Sequence, residues 1–298
     1  DAVAICVHSE SYADVGKARA ECPRLKHVIV HGDRIPETRH FGDLIRGKPE
    51  HAVSEDMCRE DIGRIIYSSG TTGRPKGVIR SHASHLSFYL INAADFGFNN
   101  QDICLNVMPL CHINSTFFTF TFLYIGATVY VHPARSFRSE EILEIVAREK
   151  ITFISLIPTH YNLILNVPPA ARKHDVGSIT KLLCSSAPVR KALKLAIMDF
   201  FPGVELYEGY GSTEAGIVTV LKPEDQLRKL GSIGYESLGT DLIKIINRDG
   251  QEAGFGEIGE LYSRGPMLFD GYYKLPEKTA DSFRGEWFSA GDMATRDE

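Results

Sequence analysis

Two serines, two threonines and three glycines crowd into the eleven positions from Ser68 to Val78, in the run Tyr67-Ser68-Ser69-Gly70-Thr71-Thr72-Gly73-Arg74-Pro75-Lys76-Gly77-Val78. Residues this small cannot pack a core. They can gather backbone N–H groups and hydroxyls around one anion, because glycine permits close approach of the backbone and positive φ. Lys76 adds a mobile positive charge at the rim. These are the parts of a loop that wraps a polyphosphate. The P-loop pattern is excluded, since it needs Gly-Lys-Ser/Thr, whereas Pro75 precedes Lys76 and Gly77 follows it. A flexible hairpin with an incidental lysine is the alternative.

The wording of this stretch closely resembles the signature loop of the adenylate-forming superfamily: acyl- and aryl-CoA ligases, luciferases and the adenylation domains of peptide synthetases. Only Ser68 departs from the usual Tyr-Thr-Ser-Gly-Thr-Thr-Gly-x-Pro-Lys-Gly-Val. Further motifs follow in the family's order. Met108-Pro109-Leu110-Cys111-His112 resembles the motif whose histidine lines the carboxylate-substrate pocket, which places His112 against the acyl group. A helix-capping histidine after a proline turn is the other reading of that residue. Ser185-Ser186-Ala187-Pro188 stands where the family carries a small-residue segment against adenine, although an ordinary strand–helix turn has the same composition. Tyr207-Glu208-Gly209-Tyr210-Gly211-Ser212-Thr213-Glu214 resembles the Gly-Tyr-Gly-x-Thr-Glu motif.

The resemblance implies a role for each. Ser68, Ser69, Gly70, Thr71, Thr72, Gly73 and Lys76 would cradle ATP, with Ser186, Ala187, Pro188, Glu208 and Gly209 around the base. Tyr210 offers a π-face to adenine, and Gly211 lets the backbone approach the reacting carboxylate. Thr213 reaches the α-phosphate. Glu214 is a hard oxygen ligand suited to Mg²⁺, which binds through one or two carboxylates plus phosphate oxygens. Thr71, Lys76, Thr213 and Glu214 are the catalytic candidates, and His112 and Gly211 the substrate-pocket candidates. In Trp287-Phe288-Ser289-Ala290-Gly291-Asp292 the aspartate would accept both ribose hydroxyls; an Asx turn is its plainer reading.

The implied activity is ATP-dependent carboxylate–CoA ligation, most like that of a bacterial-type acyl-CoA ligase, with ATP, Mg²⁺ and coenzyme A as participants. Two other readings stay open: an amino-acid adenylation domain and a non-catalytic adenylate-binding module. The first meets an obstacle. Residues 107–120 contain no acidic side chain, and an ammonium group left unpaired in a pocket costs several kcal/mol. Fatty, aromatic and small branched acids all remain compatible.

With 298 residues, 43% of them hydrophobic, the chain can bury a large core and suggests at least two subdomains. Its net charge of −5 gives no electrostatic footprint for nucleic acid or anionic lipid. The six cysteines are scattered without metal-ligand spacing and read as thiols of a reducing compartment. The most apolar run, 117–131, is broken by threonines and Gly126 and is too short to span a bilayer. A soluble cytoplasmic protein is expected; oligomeric state is not legible.

The elements that must position these motifs read as α/β: mixed and parallel sheets flanked by helices, plus a small distorted β-barrel. Ala2 to Val7 and Lys26 to Val30 form strands around a helix at 11–21, the first strand expected to be buried on both faces. Residues 31–60 read as a surface excursion. Helices are expected at 81–93 and 140–150, and strands at 151–157, 181–184 and 204–207. From 231 onward short alternating runs around Asp249-Gly250 signal β-hairpins. The expected organisation is 1–230 as α/β nucleotide-binding subdomains, incomplete at the N-terminus, and 231–298 as a β-rich subdomain. The resemblance further implies a C-terminal domain with the catalytic lysine, which lies outside residues 1–298.

Overall fold

The computed structural model describes residues 1–51, 55–68, 74–133, 136–169 and 172–297. Its contacts divide the chain into two units, Asp1–Asp56 and Met57–Glu298.

In the first unit, β1 (Ala4–His8), β2 (His27–His31) and β3 (Arg39–His40) form a parallel sheet in that order, with helices α1 (Tyr12–Arg19) and α2 (Phe41–Ile45). Val15, Val28 and Val30 are its buried residues. The expectation of a first strand buried on both faces is corrected: β1 alternates exposed and half-buried residues, because its apolar side chains meet only one small cluster. The stretch read as a surface excursion supplies the third strand and a short helix.

The second unit is built on a seven-stranded sheet. Its strands are β6 (Ile103–Asn106), β7 (Thr128–Val131), β8 (Phe153–Leu156), β9 (Lys181–Ser185), β10 (Glu205–Ser212), β11 (Gly216–Leu221) and β12 (Tyr235–Glu236), ordered β12-β11-β10-β9-β8-β6-β7. The pairs from β10 to β7 are parallel; β11 and β12 join antiparallel. Successive side chains of a strand point to opposite faces, and two cores result. Leu182, Ile154 and Leu206 pack with α5 (Ser139–Glu149), α6 (Pro158–Leu165) and α7 (Lys191–Phe200) on one face. Their neighbours Leu183, Phe153 and Tyr207 pack with Phe118 and Phe122 of α4 (Ile113–Tyr124) and with Phe96 on the other. α3 (His82–Asp95) lies against α4 through Phe88 and Phe117.

A second, antiparallel sheet carries the two strands that flank the glycine- and threonine-rich loop. β4 (Ile62–Ser68) and β5 (Lys76–Ser81) form a hairpin that pairs Ser68 with Lys76, and β15 (Gly271–Tyr272) adds to β5. The end of β4 is less buried than its apolar composition suggests, with Ile66 covered and Tyr67 exposed. The remaining strands make an antiparallel sheet of β13 (Lys244–Ile246), β14 (Gly259–Tyr262) and β18 (Met293–Ala294), and a hairpin of β16 (Phe283–Arg284) and β17 (Trp287–Phe288). The Asp249-Gly250 signal is a turn: Gly250 has φ +78° and its N–H donates to the Asn247 carbonyl. The short helix α8 (Pro276–Asp281) follows β15.

Candidate active site

A cleft of about 570 Å³ opens where the carboxyl ends of β9 and β10 meet the β4–β5 hairpin. Ligands bind outside the carboxyl ends of strands in open α/β sheets. Ser68 and Lys76, the two residues flanking the glycine- and threonine-rich loop, line it. The expected site residues Ser69, Gly70, Thr71, Thr72 and Gly73 lie outside the described residues. Lys76 Nζ stands 4.7 Å from the centre of the Tyr272 ring, within cation–π range.

The strand expected at 204–207 runs on through most of the Gly-Tyr-Gly-x-Thr-Glu segment. β10 continues through Ser212 and pairs with β11, with a bulge between Tyr210 and Gly211. The reason is local. A Cβ on Gly211 would stand 1.9 Å from the Gly216 carbonyl oxygen, so only glycine lets the two backbones close here. Gly209, Tyr210, Gly211, Thr213 and Glu214 all line the cleft.

Glu214 is 7% exposed, and its Oε1 accepts a 2.8 Å hydrogen bond from the Tyr272 hydroxyl. Burial and the adjacent carboxylate both push the Tyr272 hydroxyl above its ordinary pKa, so it stays a donor. The backbone is fixed too, as the Glu214 carbonyl accepts from Phe269 N–H at 2.7 Å. One carboxylate at the wall of a cleft, with one oxygen tethered, suits Mg²⁺, which keeps most of its coordination for water and phosphate.

Tyr210 donates its hydroxyl to Asp292 Oδ2 at 2.7 Å. The candidates for adenine and ribose are therefore tied to each other; Tyr210 and Gly291 line the cleft, and Asp292 itself is not among its described walls. Burial first, then this bond, raise the Tyr210 pKa.

His112 caps a helix and lines the cleft. It is the N-cap of α4, its Nδ1 accepting from Asn114 N–H at 3.4 Å. Beyond it the wall is apolar, with Ile113, Phe117 and Phe118 of α4, Phe88 of α3 and Ile217 of β11. Asn114 reaches across to Ser185 Oγ at 3.0 Å.

The remaining expected residues divide between the cleft and its surroundings. Ser186 lines the cleft at φ +69°, a left-handed conformation unusual for a residue with a Cβ. Ala187 and Pro188 are exposed beside it and are not among the cleft's described walls. Glu208 is also outside those walls: its carboxylate pairs with the wholly buried Lys194. Burial raises the Glu208 pKa despite that partner.

The sequence marks Tyr272 through Gly271-Tyr272-Tyr273, which resembles a family motif, but gives it no role; Phe88 and Asn114 carry no such signal and are placed by packing.

A family profile described as AMP-binding enzyme matches residues 2–273. A feruloyl-CoA synthase of Amycolatopsis is 34% identical over 241 residues, which cover 80% of this chain and 48% of that protein. Among solved structures, an anthranilate CoA ligase, AuaEII, in complex with anthranoyl-AMP superposes with TM-score 0.89 at 28% identity, over 99% of this chain and 56% of the other. The O-succinylbenzoate coenzyme A synthetase of Bacillus subtilis, in complex with ATP and magnesium ion, gives TM-score 0.81 at 25% identity, over 99% and 57%. The chain spans about half the length of the curated relatives it matches.

Proposed function

The chain belongs to the family of AMP-binding enzymes, and from that premise we propose that it is the nucleotide- and acid-binding part of a carboxylate–CoA ligase. The observation that carries the reading is the convergence, in one cleft, of Lys76, Thr213, Glu214 and Tyr210 with an aromatic-walled recess behind His112.

In the proposed reaction a carboxylate oxygen attacks the α-phosphorus of ATP. A new P–O bond forms, the bond to the β-phosphate bridging oxygen breaks, and pyrophosphate leaves. The thiol of coenzyme A then displaces AMP from the acyl carbon and its proton passes to solvent. Little covalent work falls to the protein. Lys76 and the Thr213 hydroxyl stabilise phosphate charge, and Tyr210 with Asp292 holds the nucleoside, so that catalysis is positioning and electrostatics. Bound Mg²⁺, held by Glu214, would neutralise charge on the phosphate oxygens.

For the acid, the Phe88–Phe117–Phe118 wall and the aromatic acids named for several of the relatives favour an aryl acid over a long aliphatic one. Rings of this kind pack flat substrates by offset or edge contacts. The same apolar wall around His112 disfavours an α-ammonium group.

A thermal-shift titration with non-hydrolysable acyl-sulfamoyl-adenosines carrying aryl, aliphatic and aminoacyl groups tests both parts. Ligand at 100-fold over its Kd stabilises by about 2.7 kcal/mol, and the largest shift is expected for the aryl series. An aminoacyl preference would overturn the acid assignment. No shift with any analogue would overturn the adenylate site itself. Glu214→Ala is expected to abolish the Mg²⁺-dependent part of ATP binding with the fold intact; undiminished Mg²⁺ dependence would remove the metal role from Glu214.

A further inference from the structure

Arg80 is wholly buried, at 0% exposure, on the strand that leaves the phosphate loop. A guanidinium so placed is costly unless its donors are matched. Its partners are main-chain carbonyls: Nε and Nη2 both donate to the Thr213 carbonyl, at 3.1 and 2.7 Å, and Nη1 donates to the Met267 carbonyl at 2.7 Å. Its Cζ lies 4.9 Å from the centre of the Phe117 ring, which forms part of the cleft wall. Burial lowers the Arg80 pKa to about 10 and the nearby carboxylates of Glu214 and Asp270 hold it up, so the group is a cation at neutral pH. Asp270 in turn accepts from Ser81 N–H at 2.6 Å.

One fork therefore grips three elements at once: the turn that presents Thr213 and Glu214, the segment leading to β15, and the helix that walls the acid recess. We propose that Arg80 is a positioning residue for the Thr213–Glu214 turn. It fixes the turn by the Thr213 carbonyl and so sets the adjoining Glu214 carboxylate for the metal–phosphate complex. The inference rests on the reading of Glu214 given above. Two parallel donors to one carbonyl and a third to another is a geometry that lysine cannot reproduce.

The test measures the Kd of ATP by calorimetry with and without Mg²⁺, for the wild-type chain, Arg80→Gln and Arg80→Lys. All are held at a temperature where circular dichroism shows them folded. Wild type is expected to gain affinity on adding Mg²⁺, and both variants to lose at least tenfold of that gain, over and above any loss of Mg²⁺-free affinity that comes through Thr213. If Arg80→Gln fails to fold, Arg80→Lys, which keeps the charge and chain length, carries the comparison. A purely structural arginine would lower the melting temperature and leave the Mg²⁺-dependent gain unchanged, which overturns the proposal. Absence of any gain in the wild type would instead overturn the assignment of Glu214.

Discussion

Replacing Gly211 by alanine places a Cβ 1.9 Å from the Gly216 carbonyl oxygen, 2.9 Å from its carbon and 3.0 Å from Ile217 Cα. All three contacts are backbone, so no side chain can swing away. Real Cβ atoms keep at least 3.0 Å from such neighbours, and the hairpin must open by about 1 Å, a shift that close-packed interiors resist. The least costly relaxation breaks the last two pairs of the β10–β11 ladder, Gly211 with Ile217 and Ser212 with Gly216. Two lost backbone bonds at about 1 kcal/mol each, plus about 1–2 kcal/mol of misfit, give an expected destabilisation of about 3–4 kcal/mol. Thr213 and Glu214 follow directly in the chain and move with the opened end. Misplacement by about 1 Å can cost on the order of 100-fold in rate, and nucleotide affinity is expected to fall markedly. Urea unfolding and calorimetric titration with Mg·ATP measure the two effects. A variant within about 0.5 kcal/mol of wild type that binds ATP normally would refute the steric reasoning.

Ser186→Gly is expected to raise stability by about 0.5–1 kcal/mol, since it relieves a left-handed backbone at φ +69°; a lowered melting temperature would count against strain at that position. Lys194→Met leaves the Glu208 carboxylate buried without its cation and is expected to cost about 3–5 kcal/mol in chemical denaturation. Adding Glu208→Gln should restore more than half of that, and strict additivity of the two changes would refute the pairing. The His85 ring is buried and neither of its nitrogens has a hydrogen-bond partner among the described residues. Burial first, then the nearby Arg80, Arg64 and His82, lower its pKa from 6.5 to about 3. Between those values the unfolded chain binds the proton and the folded one does not. Its contribution to stability is therefore full above pH 6.5 and declines as pH falls toward 3, by at most about 1.4 kcal/mol per pH unit. His85→Phe should flatten the acid limb of a melting-temperature profile, and an unchanged slope would show that the ring protonates in the folded state.

The sequence by itself determined the motifs and the run of elements. Small residues around Lys76 and the Gly-Tyr-Gly-x-Thr-Glu wording are legible because local backbone demands select those residue types. The helix at 139–149 is legible because one-sided burial gives its apolar residues a helical period, and the strands at 153–156 and 181–185 because burial on both faces leaves short continuous runs between turn residues. At Gly211 the motif speaks only of close approach to a carboxylate, whereas the missing Cβ also serves a close strand pair that the sequence does not show. Glu208 misleads: its motif position says nothing of Lys194, fourteen residues earlier on another element. Tertiary structure alone decided the partnerships across the chain. Tyr272 meets Glu214, Tyr210 meets Asp292, and Arg80 meets Thr213 and Met267, at separations of 58, 82, 133 and 187 residues. Contacts so distant leave no periodicity or local propensity to read. They exist because β15 adds to β5 and the chain beyond it folds back over the carboxyl ends of the large sheet, where a polar group can be buried only if such a partner satisfies it.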